Sequence, residues 1–543
     1  MKHFFTLSFL VISSLVLGQT PDIIVYNGKI FTADKNKLYN QALAIKGDRV
    51  IAVGTNDIIT KMAGSSTKKI DLEGRTVVPG FNDAHDHTGP EYPARQFVLQ
   101  NLPTEPTPWQ KVKDSLLRLV KEVPAGTLIR STINPDLFDD ENARLQTLDS
   151  IAPMHPVILA AWTGHGVIVN SKALELLGFS SQAKALGGRM EMNAGGQPNG
   201  ILHEYAAYPI SAILASKMPM EDVMADLDKY YKEALSLGIT SQQIMTTGMP
   251  AALFRKIYAA NDFGIRSRLI AFPFTNNKEL LFADWAPFFG RLNKKNEVSG
   301  VKLILDGTPG ERLAYLSAPY SDRPGMYGAL DFDDNNVKKY IQFCLKNKQQ
   351  IMVHAVGDST IKKMISLMRS LHPDAFWKDK RVRIEHGDLA IMNKADFKTM
   401  KDMGIIIVEN PMHLALPQLM AQRWGNRTNY LQAMRSLIDN NISLAIGSDG
   451  PINPFLNIMM AAIHPNNPKE AITVEEAVMA YTYGSAFAEF KEKEKGTLAV
   501  GKLADLAVLS QDIFTVPLNA LPATQSVLTM VGGKILYTAP VKK

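Results

Sequence analysis

The spacing of apolar and polar positions changes period along this chain. Near the start, short Ile/Val-rich runs lie between glycine corners, at 22–26, 29–32, 42–45, 50–53, 69–72 and 75–78. Asn27-Gly28 and Gly47-Asp48 have the composition of tight turns, so each predicts a hairpin, and Gly74 marks a third corner. The same texture returns near the other end, with a strand at 503–509 and a hairpin of 526–531 and 534–537 about Gly532-Gly533. The simplest expectation is one small composite β-sandwich to which both chain ends contribute.

Between the two ends, strand-like and helix-like patterns alternate. Strands are expected at 239–245, 266–272, 301–306, 350–355, 382–386, 405–409 and 444–448. Helical periodicity fills 222–237, 249–262, 333–347, 358–371, 393–403, 428–440 and 473–488. Such alternation predicts parallel βα units. With the strand that runs up to His85, the strands number eight, the count of a closed (β/α)8 TIM-type barrel in the α/β class. The competing architecture is an open doubly wound sheet, but no glycine-rich phosphate loop follows the first strand.

Residues 88 to about 220 break the alternation and are too many for an ordinary βα loop. They read as an insertion after strand 1 that covers the C-terminal mouth of the barrel. Helices are expected at 109–123 and 171–177 within it, and a turn at Gly195-Gly196-Gln197-Pro198-Asn199-Gly200. The expected domains are thus a leader at 1–18, sandwich strands at 19–78, a barrel at 79–490 and the rest of the sandwich at 491–543.

Composition changes this picture little. The chain has 543 residues, is 46% apolar and 21% charged, and carries a formal net charge of +6, with Lys and Arg scattered. No basic stripe with interleaved aromatics is present, which argues against nucleic acid as a partner. The first residues do change the picture. Lys2 precedes an apolar run from Phe4 to Leu17, interrupted only by Thr6, Ser8, Ser13 and Ser14. Val16 and Gly18 are small residues placed for cleavage before Gln19. That is a secretory signal pattern, so the mature protein is expected in the periplasm or outside a cell, bacterial by its sequence character. The run is short for a membrane anchor, and no second run predicts a span after its removal. Cys344 is the only cysteine, so no intrachain disulfide framework exists; its amphipathic setting predicts a buried structural thiol.

Candidate chemistry concentrates at predicted strand ends, where a barrel of this kind places its active site. Pro79-Gly80-Phe81-Asn82-Asp83-Ala84-His85-Asp86-His87 ends strand one. Residues two apart on a strand share a face, so His85 and His87 would point into one space. Lys302 and Asp306 lie on strand four, His354 ends strand five, His386 ends strand six and Asp449 follows strand eight. Each has an ordinary reading by itself. His354 could be a packed strand histidine, Asp449 before Gly450-Pro451 an Asx turn, and Lys302 a snorkelling lysine. Together, four histidines and an aspartate at converging strand ends suit zinc or another borderline divalent metal.

These motifs also carry a resemblance. The His85 stretch is similar to the opening signature of the amidohydrolase superfamily. Thr163-Gly164-His165-Gly166, Gly200-Ile201-Leu202-His203-Glu204, residues 302–307, Ile384-Glu385-His386, Gly447-Ser448-Asp449 and residues 496–506 resemble, more narrowly, its amidohydrolase 3 group. That group includes N-substituted formamide deformylase-like metal-dependent hydrolases. The resemblance implies a (β/α)8 barrel beside a composite β-sandwich. It implies that His85, His87 and Asp449 hold one metal and His354 and His386 a second. Lys302, carboxylated by CO2, would bridge the two ions; unmodified, it implies a single ion. Asp306 is a rival for the bridging or supporting role. The chain departs from the group at Thr240-Ser241-Gln242-Gln243-Ile244, where members often have a Thr-Ser-Val-His-Asp-like run.

The activity so implied is hydrolysis of a non-peptide C–N bond in an amide, formamide or cyclic amide, with a small molecule as partner. Asp449 would take a proton from water and pass it to the leaving nitrogen. His165 would donate to the developing oxyanion. Glu204, Arg312 and Tyr315 are candidates to line the substrate pocket, and Arg312 and Arg323 to meet a substrate carboxylate. An esterase or lactonase, or a metal-retaining binding protein, would use the same site. The sequence leaves open the substrate, the metal and any homo-oligomer.

Overall fold

A computed structural model describes residues 20–98, 106–179 and 185–540. The expected leader at 1–18 lies outside the described residues. Eight strands of the central sheet follow one another in parallel pairs: β1 (Phe81–Asp86), β2 (Ile239–Met245), β3 (Arg266–Ala271), β4 (Asn296–Ile304), β5 (Ile351–Ala355), β6 (Arg383–His386), β7 (Ile406–Glu409) and β8 (Ser443–Ile446); a ninth, Gly290–Arg291, pairs antiparallel with β4. The sheet curls into the (β/α)8 barrel. Its seam lies where Asp449 N–H donates to the His85 carbonyl at 2.9 Å and Ser448 N–H to Asp83 Oδ1 at 2.9 Å. Gly447 permits this approach, because a Cβ there would sit 2.4 Å from the His85 nitrogen.

Helices cover the outer face of these strands and the packed barrel interior the inner face, so β5 (Ile-Met-Val-His-Ala) and β7 (Ile-Ile-Val-Glu) are buried at every position. This is why they read as continuous apolar runs rather than alternating ones. The helices Met220–Ser236, Ala251–Ala260, Asp334–Lys346, Asp358–Leu371 and Lys394–Asp402 follow the expected order. Cys344 is fully buried on the inner face of Asp334–Lys346. No helix among the described residues is long and apolar enough to cross a membrane.

Both chain ends meet in a second β unit. A four-stranded sheet takes Ile23–Tyr26, Ala42–Lys46, Arg49–Gly54 and Lys68–Asp71. A six-stranded sheet joins Lys29–Phe31, Tyr39–Asn40 and Thr76–Pro79 to Leu506–Leu509, Ser526–Val531 and Lys534–Thr538. The joint is the antiparallel register Leu506↔Pro79, Ala507↔Val78 and Val508↔Val77. Val25, Leu43, Val77, Leu506 and Met530 fill the space between the sheets.

One expected turn differs. Asn27-Gly28 is not a hairpin, because the strands it joins belong to different sheets. Asn27 sits at φ 60°, and a Cβ on Gly28 would meet Leu72 at 2.4 Å. The chain there turns a corner between layers, tied to the matching corner at 72–75 by Gly74 N–H to the Asn27 carbonyl at 2.7 Å. A left-handed Asn and a crowded Gly serve such a corner as well as they serve a hairpin.

The insertion after β1 forms its own six-stranded sheet, in the order Gly188–Met192, Pro198–Glu204, Gly166–Val169, Val157–Ala161, Ile129–Ile133, Arg95–Gln96. One face packs on the helices Trp109–Glu122 and Leu145–Ile151. The other face meets the helices Ser171–Leu177 and Pro209–Ala215 and, beyond them, roofs the barrel mouth.

Candidate metal centre

The C-terminal ends of the barrel strands and the roof enclose a cavity of about 480 Å³. Asp449 is at its floor. His87 Nε2 lies 3.1 Å from Asp449 Oδ1 and His85 Nε2 3.6 Å; His386 Nδ1 lies 3.7 Å from Oδ2 and His413 Nε2 3.6 Å. Lys302 Nζ is 2.8 Å from His85 Nε2. The His354 ring lies 4.3 Å from that of His386, centroid to centroid. The six residues singled out at strand ends therefore share one site. His413 joins them unexpectedly. It lies in the short turn Pro411–Ala415, four residues beyond the end of β7, where a search of strand ends alone does not reach.

A buried polar chain fixes this floor from below. Arg383 Nε and Nη2 donate to the two oxygens of Glu385 at 2.7 and 2.9 Å, and Glu385 Oε2 accepts from His85 Nδ1 at 2.8 Å. With its Nδ1 proton so engaged, His85 presents the bare Nε2 to the cavity. Burial alone would raise the Glu385 pKa, but Arg383 and His85 outweigh it and hold the group at about 2. Burial, reinforced by the Lys302 ammonium, lowers His85 to about 4. Burial also lowers Lys302 to about 8, and takes His354 and His386 well below the usual imidazole value. Burial works against ionisation of Asp449, and the histidines around it, His85 first, reverse that and hold it well below the usual carboxylate range. The floor is thus a carboxylate beside three imidazoles, His85, His354 and His386, whose neutral forms burial favours.

His354 Nε2 and His386 Nδ1 are buried and have no hydrogen-bond partner. Such atoms are costly unless something takes their lone pairs. Ligand atoms of His85, His386 and Asp449 all lie within 4.8 Å of one another. An orphaned, nitrogen-rich donor set with one carboxylate fits a divalent cation of the zinc type. His386 at φ 71° and Asp449 at φ 42° hold left-handed backbone, a strain of order ~1 kcal/mol each that is commonly found at functional sites.

Across the cavity stands His165, from the roof. Its Nδ1 lies 3.0 Å from Glu204 Oε2 and 2.8 Å from the Tyr208 hydroxyl, which itself donates to Glu204 Oε2. Burial lowers the His165 pKa, but Glu204 beside it, with Glu311 and Asp449 farther off, raises it by more. Glu204, expected to line the pocket, instead stands behind His165 and orients it. Arg312 does not line the cavity either. Its guanidinium is bound by Asp139 and Asp322, at 2.9 Å each, and so clamps the insertion to the segment after β4. Arg323 pairs with the same Asp139 at 3.1 Å. Tyr315 lies apart, lining a separate surface hollow with Leu330 and Phe332. Asp306 accepts from the backbone N–H of Tyr315, Val356 and Gly357 and from the Thr360 hydroxyl, so its oxygens are committed to holding loops. Trp162, which precedes the Thr163-Gly164-His165 motif, lines the cavity, as does Thr247, which the sequence did not single out; Thr247 Oγ1 is 2.9 Å from His87 Nδ1.

Comparison with known proteins places the chain in a family and gives it structural neighbours of the same fold. The model of the Amidohydrolase family matches residues 68–537. Protein LONG AFTER FAR-RED 3 of Arabidopsis thaliana is 28% identical over 96% of this chain and 92% of its own length. The N-substituted formamide deformylase of Arthrobacter pascens is 25% identical over 96% of this chain and 99% of its own. Among solved structures, an uncharacterized metal-dependent hydrolase from Pyrococcus horikoshii superposes with a TM-score of 0.69 at 20% identity, covering 92% of this chain and 99% of that one.

Proposed function

The chain belongs to the Amidohydrolase family, and from that premise we propose that it is an exported metal-dependent hydrolase of a non-peptide C–N bond in an amide, formamide or cyclic amide. One observation carries the reading: the Asp449 carboxylate, ringed by four histidines, faces His165 across one cavity. Export rests on the Lys2–Gly18 pattern. The formamide deformylase relative supports the choice of bond.

His85, His87 and Asp449 would hold one divalent cation, zinc by the softness of the donors, and His354 and His386 a second. Lys302, as its carbamate, would bridge the two; as a free ammonium it has no lone pair to offer and the site takes one ion. Such a cation supplies Lewis acidity, polarising a carbonyl and lowering the pKa of water towards neutrality. The protein's own groups do the rest. Asp449 takes one proton from the attacking water and returns it to the nitrogen as the C–N bond breaks, giving a carboxylic acid and an amine. In neutral His165 the Nδ1 proton goes to Glu204, so Nε2 can donate to an oxyanion only as the imidazolium, which Glu204 favours. The roof sheet closes the space above and limits water.

The test pairs metal analysis of protein purified without added metal with turnover on N-formyl, N-acyl and cyclic amides and their matched esters. Hydrolysis of amides by metal-loaded protein, lost on chelation, is the expected result. Turnover of esters with none of any amide would replace this reading by an esterase or lactonase.

A further inference from the structure

The cavity roof contains a cation that pairs with none of the described residues. Arg130 lies on the insertion strand Ile129–Ile133, in register with Ile158 of the neighbouring strand, as Thr132 is with Ala160. Alternate residues of a strand share a face, and Arg130, Thr132, Ile158 and Ala160 all line the cavity. Arg130 is partly buried there, and its guanidinium makes no hydrogen bond or ion pair with any described residue. Burial lowers its pKa, and Glu91, beyond ion-pair distance, is the one acidic group that opposes this. Other arginines of the neighbourhood are committed: Arg312 to Asp139 and Asp322, Arg323 to Asp139 and Arg423 to Asp322.

A half-desolvated guanidinium with five donors and no acceptor is costly to maintain without an anion. Among the described residues Asp449 is the sole carboxylate lining the cavity, and four histidines already surround it. Ile158, in register with Arg130, and Val167 and Ile210 give the cavity an aliphatic wall, with Thr132 and Ser211 as uncharged polar groups. We propose that Arg130 is a specificity residue that receives a carboxylate of the substrate, so that the amide hydrolysed is an apolar, acylated amino-acid-like acid rather than a neutral amide. A planar fork matches a carboxylate with two parallel N–H···O bonds, and the aliphatic wall takes the apolar body. The inference rests on the hydrolase reading for the word "substrate" but not for the binding of the anion.

The test therefore has a kinetic arm and a binding arm. N-acetyl and N-formyl derivatives of leucine and phenylalanine are compared with their carboxamides, on wild type, Arg130→Ala and Arg130→Lys. Wild type should favour the acids, and Arg130→Ala should lower kcat/KM for the acids by at least ~30-fold, mainly through KM, leaving the carboxamides within ~3-fold. Arg130→Lys should recover part of the loss, and added guanidinium should partly rescue Arg130→Ala, which a purely structural role would not allow. In the binding arm, 3-phenylpropionate is titrated calorimetrically into wild type and Arg130→Ala, with 3-phenylpropanamide as control. Carboxylate binding that depends on Arg130 in a protein that hydrolyses no amide would refute the hydrolase reading and leave this inference standing. Equal handling of acids and carboxamides by wild type, or acid preference retained in a folded Arg130→Ala, would overturn it.

Discussion

Replacing Glu385 by Gln should destabilise the metal-free protein by ~3–5 kcal/mol, although the substitution barely changes shape. Arg383 and Glu385 are both fully buried. Arg383 Nε and Nη2 reach the two carboxylate oxygens at 2.7 and 2.9 Å. Its other contacts, Gln243 Oε1 and the Ala84 carbonyl, would hold the guanidinium in place after the change. A buried cation would then lack its counter-charge, which costs ~3–5 kcal/mol. The carboxyl pKa gives a second route to the figure. Its fall from 4.5 to about 2 corresponds to ~3 kcal/mol. Because the folded value is depressed, this stabilisation is complete above pH 4.5 and is lost as pH falls towards 2. The deficit of Glu385→Gln should therefore be full at pH 7 and shrink in acid. Denaturant unfolding of chelator-stripped wild type, Glu385→Gln, Arg383→Met and the double variant measures it, and the double variant should be less damaged than the sum of the two. Glu385→Gln should also bind zinc ~10–100-fold more weakly in chelator competition, since His85 loses the carboxylate acceptor that fixes its tautomer. A Glu385→Gln protein within ~0.5 kcal/mol of wild type at pH 7, with unchanged zinc affinity, would refute the reasoning.

Three further outcomes follow from the same geometry. Glu204→Gln removes the charge that raises His165, so the imidazolium, present below its pKa and lost above it, should disappear at lower pH; turnover should fall ~100-fold, its alkaline limb should move to lower pH, and NMR titration of the His165 ring should show the same shift. Cys344 is fully buried and its thiol pKa is pushed up by that burial, so it should not react with a disulfide reagent until the protein is denatured, when one thiol appears. Adding zinc to stripped protein should raise its melting temperature by ~2–5 °C, and the gain should shrink when His354 and His386 are both replaced by Ala and vanish when His85 and His87 are replaced as well.

Much of the architecture was legible because it repeats. Eight short strand patterns separated by helical periodicity specify a barrel, and in β1, β5 and β6 a histidine stands at or next to the end of the strand. The pairing of Val77 with Val508 was an inference from shared texture, since strand partners 431 positions apart leave no local trace. Corner and hairpin were not separable at Asn27-Gly28, because the same two residues satisfy either backbone path. At the site, residues on strand ends were visible and residues on turns were not. His413 escaped because a short turn carries it back over the barrel mouth, and Arg130 because nothing in a strand of the insertion marks which face lies over the cavity. Conversely, Arg312 followed the Asp306 strand closely enough to suggest a ligand, but Asp139, 173 residues away, neutralises it.

The central claim is that Asp449 moves the proton in hydrolysis. It is tested most directly by Asp449→Asn, assayed on an amide that the wild type hydrolyses, with bound metal counted in the same sample by mass spectrometry. The account predicts that kcat falls by ~10²–10⁴ while the metal stays bound, because Asn presents an oxygen to the cation but takes no proton. Turnover within a few-fold of wild type at full metal occupancy would contradict it.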